Sequence, residues 1–145
     1  MKISPPNLYK LFILLMLFSL FLPIPNQITF PYNLLGILLL VFGSYMAIKT
    51  KKLFKRTDTP IHPTANPIIL HTEGFFRLTR NPMYFGISIG LAGIAIITGI
   101  VYNLIFTILY LLIMDVFFIR YEENKLEKIF GDQFGKYKKQ TRRWI

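Results

Sequence analysis

Two long stretches without charged residues constrain this chain of 145 residues more than any other feature. No Asp, Glu, Lys, Arg or His lies between Lys10 and Lys49, and none lies between Arg80 and Asp115. Each stretch can hold two helices that cross a bilayer, because one crossing takes about 20 apolar residues. The chain is also 53% hydrophobic, which is unusual for a soluble domain of this size. The sequence therefore predicts an all-α integral membrane protein.

Helix-breaking residues divide each stretch into a hairpin. In the first, the apolar runs 8–24 and 34–48 are joined around the segment 23–33, which has three prolines and two asparagines, a composition that favours a turn. In the second, Pro82 stands where a helix tolerates proline, and a weaker turn is predicted around Gly99. The pattern predicts about four transmembrane helices in two hairpins. One long buried helix in place of the second hairpin is the alternative.

Lysine and arginine are distributed unequally among the predicted loops. Of the 17 basic residues, 2 lie in the N-terminal segment, 7 lie between spans two and three, and 8 follow span four. Because basic loops stay in the cytosol, both termini and the central loop are expected there. The predicted single domain has four consecutive parts: an N-terminal helical hairpin (1–49), a cytosolic loop (50–81), a second hairpin (82–118), and a cytosolic, interfacial helix with a basic tail (119–145).

Several kinds of site are excluded or disfavoured by composition. The chain has no cysteine, so it has no disulfide, thiolate metal site or cysteine nucleophile. His62 and His71 have no second ligand at metal-binding spacing, and no metal is predicted. The basic run 136–143 is interpreted as binding anionic lipid, and no nucleic-acid partner is expected.

Three carboxylates near the end of the last span are candidates for chemistry. Asp115 within a span is costly and points to a function, although hydration at the interface or pairing with Arg120 or a loop arginine is the alternative. Continuous helix would place Glu122 on the same face as Asp115, together with Ile119, Leu126 and Ile129. Glu123 lies one position round that helix, where simple solvation is the alternative.

A basic motif stands where the third span begins. Arg80, Asn81 and Pro82 precede the apolar run, and the first turn of a helix offers free N–H groups to an anion. An ordinary basic flank of a span is the alternative reading.

These segments together resemble the superfamily of isoprenylcysteine carboxyl methyltransferases and phospholipid methyltransferases. The resemblance covers about Ile68 to Ile145, over half of the chain. The motifs that carry it are Leu70 to Gly86 (LHTEGFFRLTRNPMYFG), the pair Glu122-Glu123, Leu126, Phe130-Gly131 and Tyr137.

The resemblance implies a cytosolic pocket for S-adenosylmethionine. By matching position, the cofactor-binding residues are expected to be Ile69, Leu70, His71, Phe76, Arg80, Asn81, Tyr84 and Glu122. Two positions depart from the prenylcysteine enzymes: Asn81 replaces a histidine, and Phe118 replaces a substrate-binding arginine.

The predicted function is S-adenosylmethionine-dependent methyl transfer to a lipophilic acceptor in the membrane. The acceptor is a prenylcysteine-type carboxylate, a thiol or a lipid amine, and for an amine Asp115 or Glu123 would act as the base. Two alternatives remain open. One is a membrane reductase of the sterol-reductase type that uses NADPH, and the other is a non-enzymatic protein that binds membrane lipids.

Overall fold

The computed structural model describes residues 5–60 and 66–145, and His62 lies outside them. The described residues are helical with no strand, as predicted. A π-helical segment, Met114–Ile119, joins α4 to α5. The helices are α1 Pro5–Phe18, α2 Leu35–Arg56, α3 Pro82–Ile97, α4 Leu104–Ile113, α5 Arg120–Phe130 and α6 Asp132–Gln140.

Two segments of this fold are long and apolar enough to cross a membrane, by length and composition. They are Tyr32–Arg56 and Val101–Phe130. The segments Asn7–Phe21 and Pro82–Ile97 are apolar but shorter. Large apolar side chains point outward from α1, α2 and α4, an arrangement that suits contact with lipid rather than with water.

α2 and α3 pack closely because glycines face each other along their contact. A Cβ atom on Gly86 would lie 2.7 Å from the carbonyl oxygen of Gly43. One on Gly93 would lie 2.6 Å from the carbonyl oxygen of Gly36. Helices in membranes often associate through such small residues, because lipid provides no hydrophobic force between them. This glycine seam, formed by Gly36 and Gly43 of α2 and Gly86 and Gly93 of α3, fixes α3 against α2. It therefore also fixes the motif at the N-terminus of α3.

α1 and α4 complete the bundle on the other side of α3. Phe12 of α1 meets Tyr110 of α4 edge to face, with ring centroids 6.3 Å apart. Met16, Leu91 and Tyr110 are almost fully buried in the same core cluster. These contacts hold the long helix that begins at α4 in place beside α3.

The two predicted turns contact each other at one end of the bundle. The Gly99 carbonyl oxygen accepts hydrogen bonds from the backbone N–H groups of Gln27 (2.8 Å) and Ile28 (3.0 Å). Gly99 has a φ of +74°, a conformation that glycine adopts without a Cβ penalty. The charged motifs therefore lie at the opposite end of α3.

The π-helical segment changes which residues share a face of the long helix. A π turn holds more residues than an α turn and shifts the register of the residues after it. The continuous-helix prediction had placed Asp115 and Glu122 on one apolar stripe. In the structure Ile119 is fully buried but Ile129 is 45% exposed, and the two carboxylates have different partners.

The chain ends in a compact helical cap built on α5 and α6. Gly131, with a φ of +47°, separates the two helices. Phe134 and Tyr137 of α6 pack with Phe76 in a second core cluster. α2 also runs to Arg56, seven residues past the predicted end of the first hairpin, because Leu53 and Phe54 pack against this cluster.

Candidate active site

A cleft lies between the C-terminal end of α2, the N-terminal end of α3 and the α5–α6 cap. Its lining residues come from these elements and from the loop before α3. They are Thr50, Phe54, Thr59, Pro60, Pro67, Ile69, Leu70, His71, Phe76, Arg80, Asn81, Pro82, Met83, Tyr84, Glu122, Glu123, Lys125, Leu126, Phe134 and Tyr137.

Arg80, two residues before the start of α3, supplies a part-buried cation to the cleft. Pro82 occupies the first turn, where its missing N–H is not needed. The Arg80 guanidinium contacts Glu123 Oε1 through two nitrogens, each 2.9 Å away. The two side chains are only 11% and 10% exposed. This two-point contact fixes the plane of the guanidinium.

Glu122 and Tyr84 meet across the cleft. The Tyr84 hydroxyl donates a 2.6 Å hydrogen bond to Glu122 Oε1. Tyr84 lies in the first turn of α3 and is 4% exposed. A carboxylate in such surroundings needs a donor, because an unpaired buried charge is strongly unfavourable. Glu122 is therefore an oriented acidic group at the cleft wall.

Glu123 is engaged on both of its oxygens. Arg80 holds Oε1, and the Arg143 guanidinium holds Oε2 at 2.6 Å and 3.1 Å. Hydrogen bonding to Glu123 raises the pKa of Arg143. To accept a proton from a substrate, this carboxylate would first have to break an ion pair.

Asp115 does not line the cleft. Its Oδ1 accepts hydrogen bonds from Arg143 (3.1 Å) and from the indole N–H of Trp144 (3.2 Å). Arg120, which is 61% exposed, approaches Oδ2 at 3.4 Å. Asp115 therefore contacts the C-terminal tail.

Aromatic rings form the opposite wall of the cleft. His71 stacks on Phe76 with ring centroids 5.6 Å apart, and Phe54 lies 5.4 Å from His71. The hydroxyl groups of Thr57 and Thr59 lie 3.2 and 3.3 Å from His71 Nε2. Burial lowers the pKa of His71. The wall therefore presents a neutral imidazole at neutral pH.

Tyr137 connects this wall to α6. Its hydroxyl donates a 2.6 Å hydrogen bond to the carbonyl oxygen of Phe76. Burial is the main cause that raises the pKa of Tyr137, so its hydroxyl stays protonated. The bond ties the loop before α3 to the cap.

The structure brings nine of the ten predicted site residues together around one cleft. The eight predicted cofactor-binding residues and Glu123 all line it, whereas Asp115 does not. No group of three or more potential metal ligands occurs among the described residues. The predicted roles of these side chains remain predictions.

Sequence reasoning missed other residues of the cleft and its surroundings. Thr50 and Phe54 line the cleft because α2 continues past residue 49, and Thr59 lines it from the segment that follows α2. The apolar residues Leu53 and Phe54 among the basic residues 51–56 are a signal for this continuation. Arg143 was missed because it lies in a basic run that resembles a solvated tail.

Comparison with known proteins places the chain in a family. A family model described as phospholipid methyltransferase matches residues 32–133. The chain belongs to the phospholipid methyltransferase family, and the resemblance predicted from its motifs is confirmed. The family is one of methyltransferases, which supports an enzymatic function, and family and apolar helices together indicate a membrane-associated protein. No curated protein and no solved structure matches the chain.

Proposed function

We propose that the protein transfers a methyl group from S-adenosylmethionine to a lipophilic acceptor that reaches the cleft from the bilayer. The observation that carries this proposal is the convergence of Glu122, Arg80 and the aromatic wall on one cleft. The matched family segment contains all three.

The chemistry of the cleft fits this cofactor. S-Adenosylmethionine has an ammonium, a sulfonium, a carboxylate and an adenine, and it supplies an activated methyl group when bound. Glu122 offers an acidic partner for the cations. Two nitrogens of the Arg80 guanidinium contact Glu123 and the third donates to the Thr141 carbonyl oxygen. A guanidinium has five N–H donors, so these contacts use three of them. Donors therefore remain for a carboxylate, and the rings of His71 and Phe76 offer a stacking surface for adenine.

The residues of the chain contribute mainly by orientation and exclusion of water. Tyr84 fixes Glu122, and Glu123 fixes Arg80, so the charged groups keep their positions before the ligands arrive. Methyl transfer is an in-line displacement that gains from alignment and desolvation. A cleft without a catalytic cysteine or a metal-ligand cluster among the described residues suits such a reaction.

The acceptor is a prenylcysteine-type carboxylate, a thiol or a lipid amine. A carboxylate is already deprotonated at neutral pH, whereas a thiol or an amine would have to lose a proton, and Asp115 and Glu123 are the predicted bases for an amine. The arginine that prenylcysteine enzymes use is Phe118 here, which favours the thiol or the amine over the carboxylate.

We also propose that four helices cross the bilayer and that the cleft faces the cytosol. The two shorter apolar helices pack against the two longer ones, and the basic residues collect at the cleft end. Because the chain has no cysteine, single cysteines can report the topology. We expect an impermeant maleimide added outside intact cells to label Tyr102→Cys and not Lys139→Cys. The reverse pattern contradicts this orientation.

Calorimetric titration with S-adenosylmethionine tests the function. Glu122→Gln should weaken binding about 10- to 100-fold, because a hydrogen-bonded charge is lost. Glu127→Gln is the matched control, since that carboxylate lies in the same helix but is exposed and paired with Lys138. Equal affinity of Glu122→Gln and wild type contradicts the assignment.

A labelling experiment identifies the acceptor. The purified protein is incubated with methyl-labelled S-adenosylmethionine and total lipid extract, and the labelled product is analysed by mass. Thermal stabilisation by S-adenosylmethionine and not by NADPH distinguishes methyl transfer from a sterol-reductase-type activity.

A further inference from the structure

The C-terminal tail, residues 141–144, lies against the segment that opens α3. The Arg142 carbonyl oxygen accepts a 3.0 Å hydrogen bond from the backbone N–H of Arg80. The Arg143 carbonyl oxygen accepts from the Thr79 hydroxyl (2.8 Å) and from Asn81 Nδ2 (3.2 Å). The tail backbone therefore holds two residues, Arg80 and Asn81, that line the cleft.

The side chain of Arg143 adds a second attachment. Its guanidinium bridges Glu123 and Asp115, with shortest distances of 2.6 and 3.1 Å. Glu123 in turn holds Arg80 at 2.9 Å. Four alternating charges thus form a row that ends at the cleft: Asp115, Arg143, Glu123 and Arg80. The planar fork of arginine suits two carboxylates at once, which a lysine ammonium cannot match.

Removing Arg143 would leave this chain of charges incomplete. Glu123 would keep its ion pair with Arg80. Glu123 Oε2, released from Arg143, would then accept hydrogen bonds from the N–H groups of Arg80 that are not yet used. These are the N–H groups that a ligand carboxylate needs. The Arg80 guanidinium also donates to the Thr141 carbonyl oxygen, so its orientation depends in part, through Glu123, on Arg143, a residue that does not line the cleft.

We propose that Arg143 is a positioning residue, which fixes Arg80 through Glu123 and Asn81 through its own carbonyl group so that the cleft can bind S-adenosylmethionine. This inference rests on the proposed function. Arg143 lies beyond the family match, which ends at residue 133, so the match itself assigns no role to it. The basic tail is thereby part of the binding site rather than only a contact for anionic lipid.

The tail carries its own spectroscopic reporter. Trp144 is the only tryptophan of the chain, and its indole N–H donates to Asp115. Its ring lies 6.4 Å from that of Phe85. Release of the tail would expose the indole to water and shift its emission to longer wavelength. This signal is measured without any cofactor.

The experiment compares the full chain in detergent as wild type, Arg143→Gln, Arg143→Lys and the control Lys139→Gln. The control removes an exposed cation from α6, four residues before Arg143.

Trp144 emission and the thermal midpoint are measured without cofactor, and the S-adenosylmethionine Kd is measured by calorimetry well below the midpoint. For Arg143→Gln we expect longer-wavelength emission and a Kd raised about tenfold or more. The emission wavelength and Kd of Arg143→Lys should lie between those of wild type and Arg143→Gln. Those of the control Lys139→Gln should match wild type.

The thermal midpoint and the Kd together distinguish a positioning role of Arg143 from a purely structural one. A purely structural role lowers the thermal midpoint but leaves the Kd of the folded protein unchanged, which overturns the proposal. A raised Kd with unchanged Trp144 emission supports the proposal, because the tail is then still held by its carbonyl groups and only the Arg143 guanidinium has been lost. If Arg143→Gln does not fold, Arg143→Lys carries the test, and a wild-type Kd then refutes the positioning role. If wild type binds no S-adenosylmethionine, the proposed function fails and the positioning role with it, while the emission shift shows that the tail contact itself exists.

Discussion

The hydroxyl of Tyr84 lies 2.6 Å from Glu122 Oε1, although the two residues are 38 positions apart in the sequence. The bond joins the first turn of α3 to the first turn of α5. It brings together an Arg-Asn-Pro-x-Tyr motif and a Glu-Glu pair that the sequence shows only as separate signals. Both side chains line the cleft, so this single contact links the geometry of two helices to the ligand site.

We expect Tyr84→Phe to weaken S-adenosylmethionine binding and to lower stability. The substitution keeps the ring but leaves a part-buried carboxylate without its tyrosine donor. A loss of this kind costs about 1–3 kcal/mol. Calorimetry and thermal unfolding in detergent measure the two effects. The matched control is Tyr102→Phe, because Tyr102 is 68% exposed and lies at the other end of α3. Equal behaviour of the two variants would refute the role of the hydroxyl.

The sequence predicts the helices and much of the site because local signals define them. Charge-free stretches predict apolar helices, and Pro82 predicts where α3 begins. The family resemblance carried by the motif at the start of α3 and by the Glu122-Glu123 pair implies nine of the residues that line one cleft. Each of these signals lies within a few consecutive residues.

Long-range partners and register shifts are what the sequence does not reveal. Nothing local marks Met114–Ile119 as π-helical, so a continuous helix placed Asp115 beside Glu122. The ion pair between Arg143 and Glu123 spans 20 residues and depends on the tail folding back over α3. A run of basic residues looks solvated until the acidic partner across the fold is known.

We expect Asp115→Asn to affect the tail more than the reaction. Asp115 accepts hydrogen bonds from Arg143 and Trp144 and does not line the cleft. The variant should shift Trp144 emission and lower the thermal midpoint, while kcat stays within about fivefold of wild type. A general base contributes about 10²- to 10⁴-fold. A loss of kcat in that range would instead establish Asp115 as the base.

We expect protonation of His71 to destabilise the protein. Burial lowers its pKa below the ordinary value of 6.5, so the fold favours the neutral imidazole. This contribution to stability is fully present above pH 6.5, and it is lost as the pH falls through the lowered pKa of the folded state. The thermal midpoint of wild type should therefore fall more steeply below pH 6.5 than that of His71→Gln. Parallel midpoint curves for the two proteins would exclude this titration.

The glycine seam gives a prediction about how the scaffold supports the site. A Cβ on Gly43 would lie 2.6 Å from the backbone nitrogen of Gly90, so Gly43→Ala must force α2 and α3 apart. Overpacking of this kind costs about 1–3 kcal/mol, and the same displacement would move the motif at the start of α3 relative to Phe54 on α2. We expect a lower thermal midpoint together with weaker S-adenosylmethionine binding.

Gly135→Ala is the matched control for the seam, because no atom lies within 4 Å of a Cβ at that helical position. Alanine in a helix is favoured over glycine by about 0.5–1 kcal/mol, so this variant should be as stable as wild type or slightly more stable. If Gly43→Ala matched Gly135→Ala in both midpoint and affinity, close approach of α2 and α3 would be unnecessary. The position of Arg80 and Tyr84 would then have to depend on the α5–α6 cap and the C-terminal tail alone.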